Sequence, residues 1–370
     1  MRPPTRRSDR LHAWITLTFA ALVVAQCRPA ATRQDPLAAE IARWSAFAER
    51  DTSSDEMWLE VKGASVPALT GAQDALERGC RFLALNRLSN AQMNLAAFEY
   101  LKARPQREED SDSAFAAEWT RMRSVLGKDL GPLTPDALAG VRPAAVRALG
   151  EAALPQVGIY YEASLDYGRS TMPKYGLFYV GSALAQRDFA AFCRTLREPV
   201  AGRAPPLRSL VPELDALEGE LLAAYRPPLS IDRHPAFILA SSLQKEARAL
   251  DHAGLRYGAL LRYLQAAQRL VPLRTLPGAA APDSALLASQ LDAFAERLGK
   301  GDVDHTIGRM FVESARADLD GPAPDTSDAT AAAIVGDVLP RYFAALGPAP
   351  AQAARAAPLV TVTLVRWPFT

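Results

Sequence analysis

Apolar residues recur every three or four positions along most of the chain, which is the spacing of one face of an α-helix. Residues 175–196, 212–225 and 255–271 each contain such a stripe. Residues that favour the first helical turn precede several segments, among them Asp35-Pro36 and His234-Pro235. The pattern predicts an all-α fold of helical hairpins, packed as a bundle or as a short irregular solenoid.

Four pairs of predicted helices start about one helix and one tight turn apart. These hairpins are 72–86 with 89–104, 156–168 with 175–196, 236–252 with 255–271, and 284–299 with 302–318. Small residues stand where the paired helices would pack closely, at Gly181, Ala183, Gly258, Ala259 and Ala266. In these features the chain resembles tetratricopeptide-type arrays, and the resemblance implies a concave surface suited to peptides and partner proteins.

Proline-rich segments interrupt the helical pattern at 198–212, 226–235 and 272–283. We interpret them as connectors between helical units and not as long flexible linkers, because proline breaks helices. The predicted helical body covers residues 27–346, either as one continuous array or as two blocks that meet near 198–212. A chain of 370 residues is long enough for both arrangements.

The end of the chain departs from this pattern. A Pro/Ala-rich tether at 347–358 leads to residues 359–370, where β-branched residues alternate as in a strand. A lone strand has unpaired backbone donors and acceptors, so we expect it to add to a partner's sheet, to lie in a groove of its own helical body, or to form a small sheet with a loop. The candidate partner contacts are Val360, Val362, Leu364, Arg366 and Trp367.

The beginning of the chain has the organisation of a secretory signal. Four arginines precede the 13 mostly apolar residues 13–25, a run shorter than the roughly 20 residues that cross a membrane. Val24-Ala25-Gln26-Cys27 resembles the lipobox of bacterial lipoproteins, although Gln26 replaces the usual Gly or Ala. The resemblance implies a signal peptide at 1–26 and acyl chains on Cys27 that anchor the protein to a membrane. Ordinary cleavage after Ala30 would instead release it into the periplasm.

Composition and charge narrow the possible partners. Hydrophobic residues make up 49% of the chain and charged residues 22%, a balance that allows a core without a metal or disulfide. Without residues 1–26 the chain has 38 basic and 40 acidic residues, a net charge of −2. Nothing in this charge predicts a nucleic-acid partner. Cys80 and Cys193 either pair in an oxidising compartment or remain two separately buried thiols.

Candidate chemistry is sparse. The histidines that follow the signal each have an aspartate nearby, in the pairs Asp232/His234, Asp251/His252 and Asp304/His305. An aspartate can orient a histidine as a base, and three histidines can bind zinc, but no short metal-binding spacing links these residues. We therefore predict no metal, no cofactor and no catalytic residue, and keep a periplasmic hydrolase that uses such a pair as an alternative.

Half of the ten tyrosines lie in residues 159–179, and Arg169 stands among them. They are Tyr160, Tyr161, Tyr167, Tyr175 and Tyr179. Tyrosine and arginine anchor recognition surfaces because they bury a large area and keep a polar tip, but tyrosines in paired helices also pack as core. The sequence favours a binding or scaffolding module for a protein or peptide partner in the envelope. A carrier of an apolar ligand is a further alternative.

Overall fold

A computed structural model of the chain describes residues 35–104, 111–169, 172–200, 202–227, 231–274, 283–321 and 324–347. The predicted signal peptide with Cys27 lies outside these residues. So do most of the tether and the whole C-terminal segment, including Val360, Val362, Leu364, Arg366 and Trp367.

The described part of the chain is all-α, as predicted. Its helices are α1 (Pro36–Arg50), α2 (Glu56–Glu77), α3 (Arg81–Lys102), α4 (Asp112–Leu126), α5 (Ala144–Arg169), α6 (Pro173–Thr195), α7 (Val211–Ala224), α8 (His234–His252), α9 (Arg256–Arg274), α10 (Ser284–Gly299), α11 (Thr306–Leu319), α12 (Pro324–Ala333) and α13 (Leu339–Leu346). A π-helical turn, Ile334–Val338, joins the last two. Within these ranges, β-type pairing is limited to one parallel bridge between Arg203 and Val303.

Helix starts follow the capping residues in the sequence. The side chain of Asp35 accepts a hydrogen bond from the backbone N–H of Leu37 at 3.0 Å, and Asp283 does the same for Ala285 at 2.9 Å. Such caps satisfy backbone donors that have no partner inside the helix. The predicted starts at Asp35-Pro36 and His234-Pro235 are those of α1 and α8.

Three of the four predicted hairpins correspond to α5–α6, α8–α9 and α10–α11, whose members pack against each other. The first prediction was wrong, because a turn at Arg78–Cys80 interrupts the expected helix 72–86 and the actual hairpin is α2–α3. Gly79 ends α2 with φ +78°, and the N–H of Cys80 bonds the carbonyl of Ala75 at 2.8 Å. This is the left-handed helix end that glycine favours.

The α8–α9 hairpin repeats the α2–α3 hairpin. Its turn residue Gly254 also has φ +78°, and the N–H of Leu255 bonds the carbonyl of Leu250 at 2.9 Å. With Gly254 aligned to Gly79, residues 79–91 (GCRFLALNRLSNA) and 254–266 (GLRYGALLRYLQA) are identical at six of 13 positions. Most buried positions of the two hairpins agree in this glycine alignment. The chain therefore contains two related hairpin units.

Helices α5 and α11 form a second related pair, each with an arginine four residues before a glutamate at the same place in the helix. In α5 the glutamate is Glu151, whose Oε2 accepts the backbone N–H of Gly258 at the start of α9, at 2.8 Å. In α11 it is Glu313, whose carboxylate accepts the backbone N–H of Leu83 at the start of α3. Gly258 and Leu83 are equivalent positions, so each of these helices caps the hairpin that lies farther from it in sequence.

Buried apolar residues from α1 to α13 form one continuous core, which includes Leu196 and Leu210 on the two sides of the proline-rich connector. A division of the body near 198–212 stays a prediction. The helical stretch Ala329–Leu346 has the length and composition of a membrane span. Its residues Val338 and Tyr342 are fully buried in the core. Cys80 and Cys193 are free thiols, and Cys193 is buried.

Candidate functional site

A cavity of about 250 Å³ lies between α3, α5, α6, α8 and α9. We call it the amide recess, because the side chains of five amide residues line it: Asn86, Asn90, Gln156, Gln186 and Gln265. Both related hairpins contribute to it at equivalent positions, since Asn90 of α3 corresponds to Gln265 of α9 in the glycine alignment. The recess thus lies where the two repeated units meet.

Three of the five amide side chains that line the recess can form hydrogen bonds with a ligand. Asn86 and Asn90 are four residues apart, which places them on one face of α3, while the opposite face buries Leu85 and Leu88 in the core. Among the residues that the structure describes, the side-chain amides of Asn86, Asn90 and Gln186 have no hydrogen-bond partner. Each amide offers two donors and one acceptor with two lone pairs. The recess therefore offers several directional bonds to a polar ligand.

An ion pair lies in one wall of the recess. The Arg262 Nε lies 3.0 Å from the Glu246 Oε2, and the two side chains are only 19% and 16% exposed. Arg262 also donates to the Gln265 side chain at 2.9 Å and to the carbonyl of Ala152 at 3.2 Å, which fixes it between α9 and α5. Burial raises the pKa of the Glu246 carboxyl, and Arg262 and the Gln156 amide oppose this rise.

A row of tyrosines leads into the recess. Tyr160 lines it, and burial, followed by the nearby Glu246 charge, raises the pKa of the Tyr160 hydroxyl. The Tyr179 ring centroid lies 5.9 Å from that of Tyr160 and 4.5 Å from that of Tyr167, on which it stacks. Tyr167 is exposed at the end of α5. These three predicted contact residues form one continuous surface.

The other predicted contacts of this segment lie elsewhere. Tyr161 is buried, stacks on Trp119 with centroids 4.9 Å apart and donates its hydroxyl to the Trp119 carbonyl at 2.8 Å. Tyr161 therefore packs in the core, which is one of the two interpretations that the sequence allows for these tyrosines. Arg169 and Tyr175 are exposed at the facing ends of α5 and α6. The segment is therefore part core and part surface.

Two of the three aspartates beside the histidines, Asp251 and Asp304, accept hydrogen bonds at the starts of helices. The Asp251 carboxylate accepts the N–H of Leu210 at 3.0 Å and the Ser209 hydroxyl at 2.6 Å, which caps α7. The Asp304 carboxylate accepts the N–H of Ala144 at 2.7 Å, which caps α5. Both carboxylates are thus committed to helix starts.

The histidines are dispersed. His234 Nδ1 lies 2.7 Å from the Tyr225 hydroxyl, and His305 Nδ1 lies 3.0 Å from the Tyr342 hydroxyl. His234 and His252 occupy opposite ends of the 19-residue α8, about 27 Å apart. Within the described ranges, no three His, Cys, Asp or Glu side chains are grouped as metal ligands. This geometry offers the hydrolase alternative no assembled site.

A second, larger cavity of about 740 Å³ lies between α5, α6 and the loop 128–137. Leu133, Leu154, Val157 and Ala191 form its apolar part, and Lys128 stands at its edge. This groove is the feature that would suit a carrier of an apolar ligand. Asp129, Arg187 and Arg194 also line it, and these charged side chains suit an apolar ligand less than its apolar part does.

Comparison with protein-family models, curated proteins and solved structures finds no match to this chain. The sequence identifies Tyr160 through composition, but it gives no comparable sign of the amides or of the pair Glu246/Arg262. Single amides on helices carry no motif. The one sequence signal for them is the repeat of 79–91 in 254–266, which sets Asn90 and Gln265 in equivalent places.

Proposed function

We propose that the protein is an exported binding module that holds an extended segment of a protein partner in the amide recess. The observation that carries this proposal is the set of unpartnered amides, Asn86, Asn90 and Gln186, around one cavity in the described part of the chain. Asn90 is exposed and Asn86 and Gln186 are half-buried, so their amides are accessible and can form hydrogen bonds with a ligand that enters this concave site. A peptide supplies the complementary donors and acceptors in its own backbone.

The spacing on α3 suits an extended chain. Residues four apart on a helix are separated by about 6 Å along its axis. Two residues of a polyproline II or β-strand segment advance by about 6–7 Å. Asn86 and Asn90 therefore match alternate peptide units of a ligand that lies along α3. Each amide can donate to a carbonyl and accept from an N–H of the same peptide.

The tyrosine row extends this surface beyond the recess. Tyr160, Tyr167 and Tyr179 follow one another from the recess to the exposed end of the α5–α6 hairpin. Their rings offer a large, rigid area at low entropic cost, which suits the outer part of a peptide site.

Export and anchoring complete the proposal. The signal-like residues 1–26 and the lipobox-like Cys27 support a place in the bacterial envelope, on a membrane leaflet or in the periplasm. The strand-like residues 359–370 support a second contact, in which Val360, Val362, Leu364, Arg366 and Trp367 add to a partner's sheet. Neither feature calls for a cofactor or nucleic acid.

Selection from a library of random ten-residue peptides tests the proposal. The wild-type protein should retain a subset of peptides, and the double variant N86A/N90A should bind that subset about tenfold or more weakly, the combined effect of two lost hydrogen bonds. Gln290→Ala is the control, because Gln290 is an exposed amide of α10 that lies outside the recess and off the face of α3 along which the peptide would lie. Its affinity should equal that of the wild type. Equal affinity in the double variant, or no retained peptide at all, would refute the proposal.

A further inference from the structure

One difference between the two hairpin units concerns the ion pair in the wall of the recess. In the glycine alignment, Arg262 of α9 corresponds to Arg87 of α3, and Glu246 of α8 corresponds to Gly71 of α2. Arg87 donates its Nη1 to the carbonyl oxygen of Gly71 at 2.8 Å. The first hairpin therefore holds its arginine without any carboxylate at this position, and the shared architecture does not require Glu246.

Glu246 has two partners, the Arg262 guanidinium and the Gln156 side-chain amide, and both belong to the lining of the recess. Its Oε2 and the Arg262 Nε are both buried and 3.0 Å apart, yet neither has an aligned hydrogen bond in the described part of the chain. Arg262 is already fixed by the Gln265 side chain and the Ala152 carbonyl. Because the first hairpin has glycine at the equivalent position, the hairpin architecture does not explain this carboxylate, and its place in the lining is better explained by what enters the cavity.

The charges of the recess cancel. Apart from Glu246 and Arg262, its lining consists of uncharged amide, hydroxyl and apolar side chains. A charged group that entered would lose its hydration and would meet one attractive and one repulsive charge side by side. An uncharged polar group loses less hydration free energy on entering the recess and can form hydrogen bonds with the amides.

Resting on the proposed function, we infer that Glu246 and Arg262 together make the recess select an uncharged polar stretch of its peptide ligand. Each of the two charges offsets the attraction that the other would exert on a charged group of the ligand. With Glu246 neutralised, Arg262 faces the cavity uncompensated and attracts a ligand carboxylate. With Arg262 removed, Glu246 attracts a lysine or arginine of the ligand.

The same library of random ten-residue peptides distinguishes these states even though the natural ligand is unidentified. Peptides retained by the wild type should be depleted of Asp, Glu, Lys and Arg at their central positions. Glu246→Gln keeps the shape of the side chain and should enrich acidic residues there about tenfold relative to the wild type. Arg262→Gln should enrich basic residues. Glu218→Gln, which removes an exposed carboxylate of α7 that pairs with Arg248, should leave the preference unchanged.

Melting temperature separates selectivity from stability. Glu246→Gln and Glu246→Gly should melt within a few degrees of the wild type, since glycine occupies the equivalent place in the first hairpin. Arg262→Gln should melt lower because it loses its bond to α5, so Glu246→Gln carries the test. Unchanged peptide preference in Glu246→Gln would overturn the inference and leave the proposed function standing, and so would a large fall in its melting temperature. Failure of the wild type to retain any peptide would overturn both.

Discussion

The α2–α3 and α8–α9 hairpins have the same turn, share most of their buried positions and have an arginine, Arg87 or Arg262, at the same place of the second helix. They differ at positions that line the recess: Asn86 corresponds to Leu261 and Asn90 to Gln265, and Glu246 lines the recess whereas its counterpart Gly71 does not. The turn glycine and the arginine of the second helix are the same in both units, whereas Asn86, Asn90 and Glu246 have different counterparts. The comparison of the two hairpins therefore distinguishes positions that they share from positions at which the recess gives them different roles.

A second contrast concerns the capping glutamates of α5 and α11. Glu151 accepts the N–H of Gly258 and pairs with Arg147 at 2.7 Å. Glu313 occupies the equivalent place, but its Oε2 is buried without a hydrogen-bond partner among the described residues, and burial raises its pKa to about 7. The same position therefore holds a paired carboxylate in one unit and a poorly paired one in the other.

The largest expected effect comes from removing these carboxylates. Glu151→Ala should lower the free energy of unfolding by about 3–5 kcal/mol, because it leaves a buried N–H unpaired and Arg147 without its partner. Glu313→Ala should cost about 1–2 kcal/mol, since that carboxyl contributes mainly one bond. Urea denaturation at pH 7 measures both. Glu60→Ala, at an exposed position of α2, should change little. Equal losses at Glu151 and Glu313 would remove the contrast.

The next effect is a pH dependence specific to Glu313. Its pKa rises from 4.5 to about 7 on folding, so the folded state holds the proton more tightly than the unfolded state. The resulting stabilisation is complete below about pH 4.5 and is lost as the pH rises through about 7. From pH 5 to pH 8 we expect the wild type to lose about 2–3 kcal/mol relative to Glu313→Gln.

Denaturation of both proteins over this pH range isolates the contribution of Glu313 from those of other groups. Burial lowers the pKa of His305, which acts in the opposite direction, but this histidine is present in both proteins. Arg121 holds the pKa of Glu118 at about 2, outside the range measured. Parallel stability curves for the two proteins would show that Glu313 does not titrate there.

The helices could be predicted because their signals are local. Apolar spacing, Asp35 and the prolines at helix starts each act within one or two turns. The error at 72–86 came from reading the apolar pattern through Gly79, although glycine is the residue that a left-handed helix end favours. Gly79 was a local signal for a helix end, but the apolar pattern on both sides of it favoured one continuous helix.

The recess could not be predicted in the same way. Asn86, Gln186 and Glu246 are distant in the sequence and meet only through packing of α3, α6 and α8. The pair Asp251/His252, part of the hydrolase alternative, shows how little sequence adjacency says about a site, because consecutive residues of a helix point in different directions. Asp251 therefore caps α7 while its neighbour His252 does not share that contact. Tyr160 could be identified from composition, because half of the tyrosines of the chain are concentrated in residues 159–179.

The smallest effect tests whether the two turns are equivalent. Gly79→Ala and Gly254→Ala should each cost about 1–2 kcal/mol, because both glycines have φ +78°, where a Cβ is strained. Gly254→Ala should cost slightly more, since its new Cβ would lie 3.3 Å from the Pro135 side chain, whereas the space beside Gly79 is open.

Gly219→Ala in α7 is the matched control. That glycine has an ordinary helical backbone and open space around it, so alanine should stabilise the helix by about 0.5–1 kcal/mol. Urea denaturation of the three variants should thus show two losses and one gain. If Gly79→Ala stabilised the protein as Gly219→Ala does, the backbone at that turn would not be left-handed in solution. The two hairpins would then share buried positions without sharing a turn, and the alignment that relates Gly71 to Glu246 would lose its anchor.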